Sequence, residues 1–366
     1  MELHLVGGFL GSGKTTAILE AARLLMERGQ RVGIITNEQG KHLVDTGFLR
    51  SGGLPALEVT GGCICCHLDD FADRVEEITA KFNPQVLFAE SVGSCADLVA
   101  TVVKPLVDYR KTSAQPASLS VFSDSRLLLR YLRGQELPFS DSVIYIFEKQ
   151  IEETNLLITN KIDLLTEADN HDLMKLAAEK YPDKTIRPQN SLGTAEVAGW
   201  LALIQTDNHA LPQASLDIDY DAYADGETRF TWVDRELLVS SSVASQISQL
   251  GVWIKAIAKK LTSNEIRIAH LKILIKDHRS SVKISLTGMD EITEKMESQL
   301  VQLSQLKGTK FEVLINLMAE GDQVAVESAL DAIIMQIPKN AKFTVKKSSG
   351  FTRVPDKPKP TLRIGI

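Results

Sequence analysis

Cysteine is scarce in this chain: only four occur in 366 residues, at positions 63, 65, 66 and 95. Four thiols cannot form the disulfide framework of a fold this long, and adjacent Cys65 and Cys66 could bridge only in strained geometry, so the sequence predicts free thiols. Long apolar runs are missing too. No segment approaches the roughly 18 apolar residues of a membrane helix, and Met1-Glu2-Leu3-His4-Leu5-Val6 lacks the basic-then-apolar order of a targeting segment. The expectation is a cytoplasmic protein with reduced thiols and no membrane partner. Basic charge is in deficit, with a net charge of -6 and no long basic run before residue 338, which argues against nucleic acid as a partner. What remains is ordinary globular composition, 44% hydrophobic and 24% charged, in a chain long enough for two domains.

The first motif lies at the N-terminus. Leu3, Leu5 and Val6 form a short apolar strand that runs into Gly7-Gly8-Phe9-Leu10-Gly11-Ser12-Gly13-Lys14-Thr15-Thr16, and residues 8 to 15 satisfy G-x-x-x-x-G-K-[ST] in full. Gly8, Gly11, Ser12, Gly13 and Thr16 would wrap phosphates with backbone N–H groups at a helix N-terminus. Lys14 would reach the β- and γ-phosphates and Thr15 would hold Mg²⁺. Ala17, Ile18, Ala21, Ala22, Leu24 and Leu25 recur at helical spacing up to Gly29, and Arg31 to Thr36 is a second apolar strand. Strand, loop, helix and strand make the β-α-β unit that separates this motif from a plain glycine-rich turn.

Val86 to Ala89 reads as a strand buried on both faces, ending in Glu90-Ser91-Val92-Gly93. Glu90 can order a water on Mg²⁺, and the Gly93 N–H can sense a γ-phosphate, as in a switch loop. Leu156 to Thr159 leads into Asn160-Lys161-Ile162-Asp163. The Asp163 carboxylate can accept from the ring N–H and exocyclic amine of guanine, a pair adenine does not offer, while Asn160 and Lys161 brace the purine and its loop. Asp45 is either a Mg²⁺ ligand or part of a solvated loop. Lys14, Thr15, Asp45 and Glu90 are the candidates for hydrolytic chemistry. No base for water activation stands out, though Gln39 is a candidate for positioning it.

The cysteines follow in Gly61-Gly62-Cys63-Ile64-Cys65-Cys66-His67. Free cysteines are often core residues, but three in four positions suit a soft metal ion such as zinc or copper(I). On a strand Cys63 and Cys65 would share a face with Cys66 opposite, so convergence needs a turn, which Gly61-Gly62 permits. Glu38, His42, His67 and Cys95 are the candidates for a fourth ligand.

Together these motifs, with Asn37-Glu38, resemble the CobW-type metallochaperone GTPases, relatives of the GTPases that mature urease and nickel hydrogenase. The resemblance covers residues 1 to about 205 closely and the remainder loosely. It implies a cytoplasmic GTPase with bound GTP or GDP and Mg²⁺, holding zinc or cobalt at Cys63, Cys65 and Cys66. Its client would be a metalloprotein or cofactor enzyme; the oligomeric state, a dimer included, stays open. The family usually carries N-E-F-G-E at the first switch, where this chain has Asn37-Glu38-Gln39-Gly40-Lys41, so Lys41 replaces an acid. The family's histidine-rich stretch is missing, and its threonine-serine-glycine reads Ser91-Val92-Gly93-Ser94-Cys95.

The expected fold is α/β, with a mostly parallel sheet in a P-loop GTPase domain over residues 1–210, then a small α+β domain. Asp217, Asp219, Asp221 and Asp225 mark residues 211–227 as an acidic linker. Strand-like segments at 228–233, 268–275, 282–286 and 311–317, with helix-like segments at 252–261 and 324–334, predict an antiparallel sheet with helices on one face over residues 228–337. Pro338, Pro355, Pro358, Pro360 and several lysines make residues 338–366 read as a weakly ordered tail. Two rivals accompany the metallochaperone reading. One is a GTP-dependent chaperone or activator of a cofactor enzyme, for example a corrinoid protein, without metal cargo. The other is a P-loop ATPase or kinase with structural cysteines.

Overall fold

The structure, a computed structural model, describes residues 1–37, 44, 54–59, 63–110, 112–206, 211–241, 247–263, 266–289, 292–337 and 342–365. The chain divides into two compact units, one of Met1–Gln39, Gly52–Glu227 and Asp356–Ile366, the other of Gly40–Ser51 and Thr228–Pro355. Among the described residues no helix is long and apolar enough to cross a membrane.

The first unit is built on seven strands: β1 (Glu2–Gly8), β2 (Val32–Asn37), β3 (Ala56–Val59), β4 (Val86–Glu90), β5 (Gln115–Asp124), β6 (Leu156–Asn160) and β7 (Thr185–Gln189). Their order is β3-β2-β4-β1-β5-β6-β7, and every pairing is parallel. β1, β2, β4 and β6 are almost wholly buried, which explains their continuous apolar runs: helices cover both faces of a parallel sheet. Two helices illustrate the packing logic. Helix α1 (Lys14–Glu27) buries Ala17, Ile18, Ala21, Ala22 and Leu25 along one stripe. Helix α2 (Leu68–Phe82) buries Leu68, Phe71, Ala72, Val75 and Ile78 and stops at Asn83 in a left-handed conformation. Because the strands are parallel, their carboxyl ends all lie along one edge, where ligands bind in such sheets.

The second unit is a five-stranded antiparallel sheet of β8 (Phe230–Ser241), β9 (Arg267–Lys276), β10 (Ser281–Leu286), β11 (Lys310–Glu320) and β12 (Phe343–Arg353), in the order β10-β9-β11-β8-β12. Val233, Leu237, Ile273, Val313 and Ile315 form one apolar face. It packs with Trp253 and Ile257 of the helix Ile247–Ser263 and with Leu330 of the helix Gln323–Ile334. Arg235 points to the same side, fully buried, and donates to Asp331, Glu327 and the Phe351 carbonyl.

Two expectations are corrected. Residues 343–353 are not a tail: they pair along β8 from Phe343↔Ser241 to Arg353↔Trp232. The composition misled because this is an edge strand, where Lys346 faces water, Lys347 pairs with Asp331 at 2.9 Å, and the prolines fall outside the paired segment. The acidic stretch 211–227 is not a linker either, for it packs within the first unit. Tyr223 is buried against Ala96 and Ile146, and its hydroxyl accepts the Ala96 N–H at 3.0 Å.

Candidate nucleotide and metal site

The edge at the strand carboxyl ends gathers the sequence motifs. β1 delivers the glycine-rich loop, in which Gly8, Gly11 and Gly13 all have positive φ. Gly13 is also sterically fixed, since a Cβ there would collide with the Asn160 side-chain amide. Lys14 is buried and donates from Nζ to the carbonyls of Gly8 at 2.6 Å and Phe9 at 3.3 Å. Its ammonium therefore already lies inside the loop that would receive phosphates.

β4 ends at Glu90, whose register partner is Val6 of β1, so its carboxylate lies beside the loop. Thr15 Oγ1 donates to Glu90 Oε1 at 2.9 Å and Oε2 at 3.0 Å, and both side chains are buried. A hydroxyl and a carboxylate held together beside a phosphate loop form a hard oxygen pair suited to Mg²⁺. Such an ion would take over the Thr15 oxygen and supply charge neutralisation to the phosphates. Gly93 follows in the same loop. A Cβ on it would come within 2.9 Å of Leu10 Cα, so this loop packs directly against the phosphate loop.

β5 and β6 bring in the third group. Asn160 Nδ2 donates to the Ser12 carbonyl at 2.7 Å, while its Oδ1 accepts from Ser191 N at 3.1 Å and Ser191 Oγ at 2.8 Å. Lys161 adopts φ 65° and places Nζ 3.0 Å from Asp124 at the end of β5. Burial works against the Asp124 carboxylate, but the Lys161 charge and the Arg126 hydrogen bonds hold it well below the usual carboxylate range. Asp163 stands exposed on the short turn Ile162–Leu164, open to a ligand edge. Sequence reasoning missed Asp124 and Ser191. Asp124 carried one legible signal, an acid at the end of an apolar strand.

The cysteines lie at the β2 end of this edge. Residues 64–66 turn tightly, with the Cys66 and His67 N–H groups both donating to the Cys63 carbonyl at 3.0 Å, and the turn leads straight into α2. Asn37, the last residue of β2, positions this turn: its Oδ1 accepts the Ile64 N–H at 2.9 Å and its Nδ2 donates to the Val59 carbonyl at 3.1 Å. The Sγ atoms of Cys63, Cys65 and Cys66 all lie within 4.8 Å of one another. Cys63 and Cys65 are joined as a disulfide, correcting the expectation of free thiols. The reason is the turn, which brings their Cα atoms to 5.4 Å, inside the span a bridge can close. A metal would bind the reduced form. Burial pushes the Cys66 and Cys95 thiols up, so neither is a thiolate until a cation displaces its proton.

Of the fourth-ligand candidates, Cys95 is buried with Sγ 3.3 Å from Cys65 Sγ. His67 is partly exposed, its Nδ1 3.6 Å from Asp70. Glu38 and His42 lie outside the described residues, as do Gln39, Lys41, Asp45, Gly61 and Gly62. The C-terminal stretch also reaches this site. The Lys359 N–H donates to Cys66 Sγ at 3.2 Å, Thr361 Oγ1 donates to the Cys66 carbonyl at 2.7 Å, and Arg363 pairs with buried Asp97 at 2.7 Å.

This geometry defines a P-loop nucleotide-binding domain with a thiol cluster at its edge. The family profile described as CobW/HypB/UreG, nucleotide-binding domain, matches residues 2–187, and the chain belongs to that family. Among curated relatives, the zinc chaperone CobW of Sinorhizobium sp is 31% identical over 182 residues, 44% of this chain and 50% of that protein. The Escherichia coli zinc chaperone YeiR is 29% identical over 193 residues, 50% of this chain and 53% of that protein. The urease accessory protein UreG of Aliarcobacter butzleri is 35% identical over 168 residues, 43% of this chain and 73% of that protein. The chain thus spans about half the length of the first two. Among solved structures, the Zn(II)-bound YjiA GTPase of E. coli aligns with 91% of this chain and 98% of its own, at 14% identity and a TM-score of 0.36.

Proposed function

We propose that this protein is a GTP-hydrolysing metallochaperone that carries a transition metal ion, zinc or cobalt, on Cys63, Cys65 and Cys66. The single observation behind this reading is the thiol cluster itself, three sulfurs within 4.8 Å. Asn37 hangs that cluster from the end of β2, on the same strand edge as the phosphate loop. The names of the relatives, two of them zinc chaperones, support the cargo.

GTP would lie with its phosphates on residues 8–16, Lys14 turning from the Gly8 carbonyl to the phosphate oxygens. Thr15 and Glu90 would hold Mg²⁺, with Asp45 a further candidate ligand, and the Gly93 N–H would sense the γ-phosphate. Asp163 reads the guanine, while Asn160 and Lys161 keep its loop fastened to Ser12 and Asp124. Hydrolysis would be slow, with no base placed at the loop among the described residues and Gln39 the candidate for positioning water. The stretch from Asn37 to His67 couples the two sites, each biasing the other by linkage. The client is a cytoplasmic metalloprotein or cofactor enzyme.

The test is titration of reduced protein with zinc and with cobalt, with and without a non-hydrolysable GTP analogue and Mg²⁺. One metal per chain is expected, at an affinity that changes with the analogue and is abolished when all three cysteines become serine. Equal metal retention by that triple variant ends the metallochaperone reading and favours a cargo-free activator. Preference for ATP over GTP ends the guanine assignment.

A further inference from the structure

Resting on the cargo reading above, we infer that Cys95 is the fourth ligand, so that all four cysteines of the chain form one tetrathiolate site divided between two loops. The distances carry this. Four sulfurs around zinc at ~2.3 Å are separated by ~3.8 Å along each edge of the tetrahedron. Cys65 Sγ and Cys66 Sγ are 3.8 Å apart, and Cys95 Sγ lies 3.3 Å from Cys65 Sγ. Cys63, Cys65 and Cys66 already lie within 4.8 Å of one another, and Cys95, in contact with Cys65, must still draw toward Cys63 and Cys66 to close the set once the Cys63–Cys65 disulfide is reduced by a dithiol or phosphine, which supplies two electrons and leaves two thiols.

The Cys95 sulfur is built into its place. Its residue's N–H donates to the Val92 carbonyl at 3.0 Å and its carbonyl accepts from Gln150 Nε2 at 3.0 Å; the same amide also holds the Gly93 carbonyl at 3.0 Å. The next residue, Ala96, donates its N–H to Tyr223. Besides Cys65, this sulfur touches the Ala96 carbonyl at 4.0 Å, and the Glu227 and Glu153 carboxylates are near enough to oppose a thiolate there. The thiolate charge gathered on the cluster is met by a backbone donor, the Lys359 N–H on Cys66 Sγ.

The consequence is mechanical. Cys63, Cys65 and Cys66 belong to the loop that Asn37 positions, whereas Cys95 belongs to the loop that begins at Glu90 and packs Gly93 on Leu10. A metal bound by all four fastens the cysteine turn to the loop that bonds Thr15. Movement of residues 91–97 on nucleotide exchange then adds or withdraws one ligand, converting a closed site into an open one from which a client can take the ion.

Zinc K-edge X-ray absorption on reduced, zinc-loaded wild-type protein counts the sulfurs without any mutation. Four sulfurs are expected; three with a nitrogen or oxygen overturn the inference while leaving the three-cysteine cargo site standing. Cobalt(II) substitution of wild type, Cys95→Ser and Cys95→Ala supplies the second readout. The thiolate-to-cobalt charge-transfer band should fall by about a quarter, one bond in four. Zinc affinity should drop by about tenfold or more, and its response to the GTP analogue should flatten. An unchanged band and an unchanged nucleotide response in both variants overturn the role of Cys95. Absence of metal uptake by the reduced wild type overturns the cargo reading and this inference together.

Discussion

The two sheets of this protein use their buried polar residues in opposite ways. In the parallel sheet His4 of β1 and Ser118 of β5 pair within the strands, but the buried carboxylates and amide, Glu90, Asp124 and Asn160, stand at strand ends and their bonds cross between loops: Glu90 to Thr15, Asn160 to Ser12, Asp124 to Lys161. In the antiparallel sheet they stand within strands. Arg235, in the middle of β8, is closed off by Asp331, Glu327 and the Phe351 carbonyl, while Asn316 of β11 bridges Asp234 of β8 and His270 of β9. Strand-end bonds between loops can be exchanged for bonds to a ligand; bonds between strands and a helix hold register. The difference separates a working edge from a scaffold inside one chain.

Three substitutions put this contrast to the test. Lys14→Ala removes the cation inside the phosphate loop, and GTP turnover should fall by about 10²–10³-fold. The thermal midpoint should move little; the bonds lost include those from Nζ to the Gly8 and Phe9 carbonyls. A large loss of stability with turnover retained would break the contrast.

Glu153 sharpens it, as a polar residue in the first unit that behaves like those of the second. It is buried, accepts the Val99 N–H, and burial pushes its carboxyl up to about 8 from 4.5. The folded state therefore favours the protonated form. This residue's contribution to stability is full below about pH 4.5 and is lost as pH rises through about 8. Glu153→Gln, which mimics the protonated form, should match wild type at pH 4.5 and be more stable by about 4 kcal/mol at pH 8 in urea unfolding.

Arg235→Ala is the smallest effect. It should cost about 2–3 kcal/mol, less than a fully buried pair, because Asp331 and Glu327 are partly exposed and can rehydrate. GTP turnover measured on the folded variant should be unchanged. A loss of turnover would show that the second sheet takes part in the chemistry.

What was legible in the sequence was local. The phosphate loop, the strand ending in Glu90 and the Asn160–Asp163 turn are contiguous segments whose chemistry and backbone needs are written in neighbouring residues. Four of the five antiparallel strands were legible for the same reason, as separate short apolar segments, while β12 was not. Two of the readings that failed depended on distant partners. Lys346 and Lys347 look like tail residues until β8 is known to lie beside them, and the acidic stretch 211–227 looks like a connector until Tyr223 is seen packing on Ala96 and Ile146.

The thiol cluster divides along the same line. Spacing alone determined that Cys63, Cys65 and Cys66 could meet, because a turn within four residues needs no information from elsewhere in the chain. That Asn37 holds the turn and that Cys95 comes within 3.3 Å of Cys65 were decided only by tertiary structure. The order of parallel strands sets β2 beside β4, and with it places the loop after Glu90 next to the cysteine turn. No pattern along the chain encodes that adjacency, which arises when the burial of two apolar strands brings their polar ends to one edge.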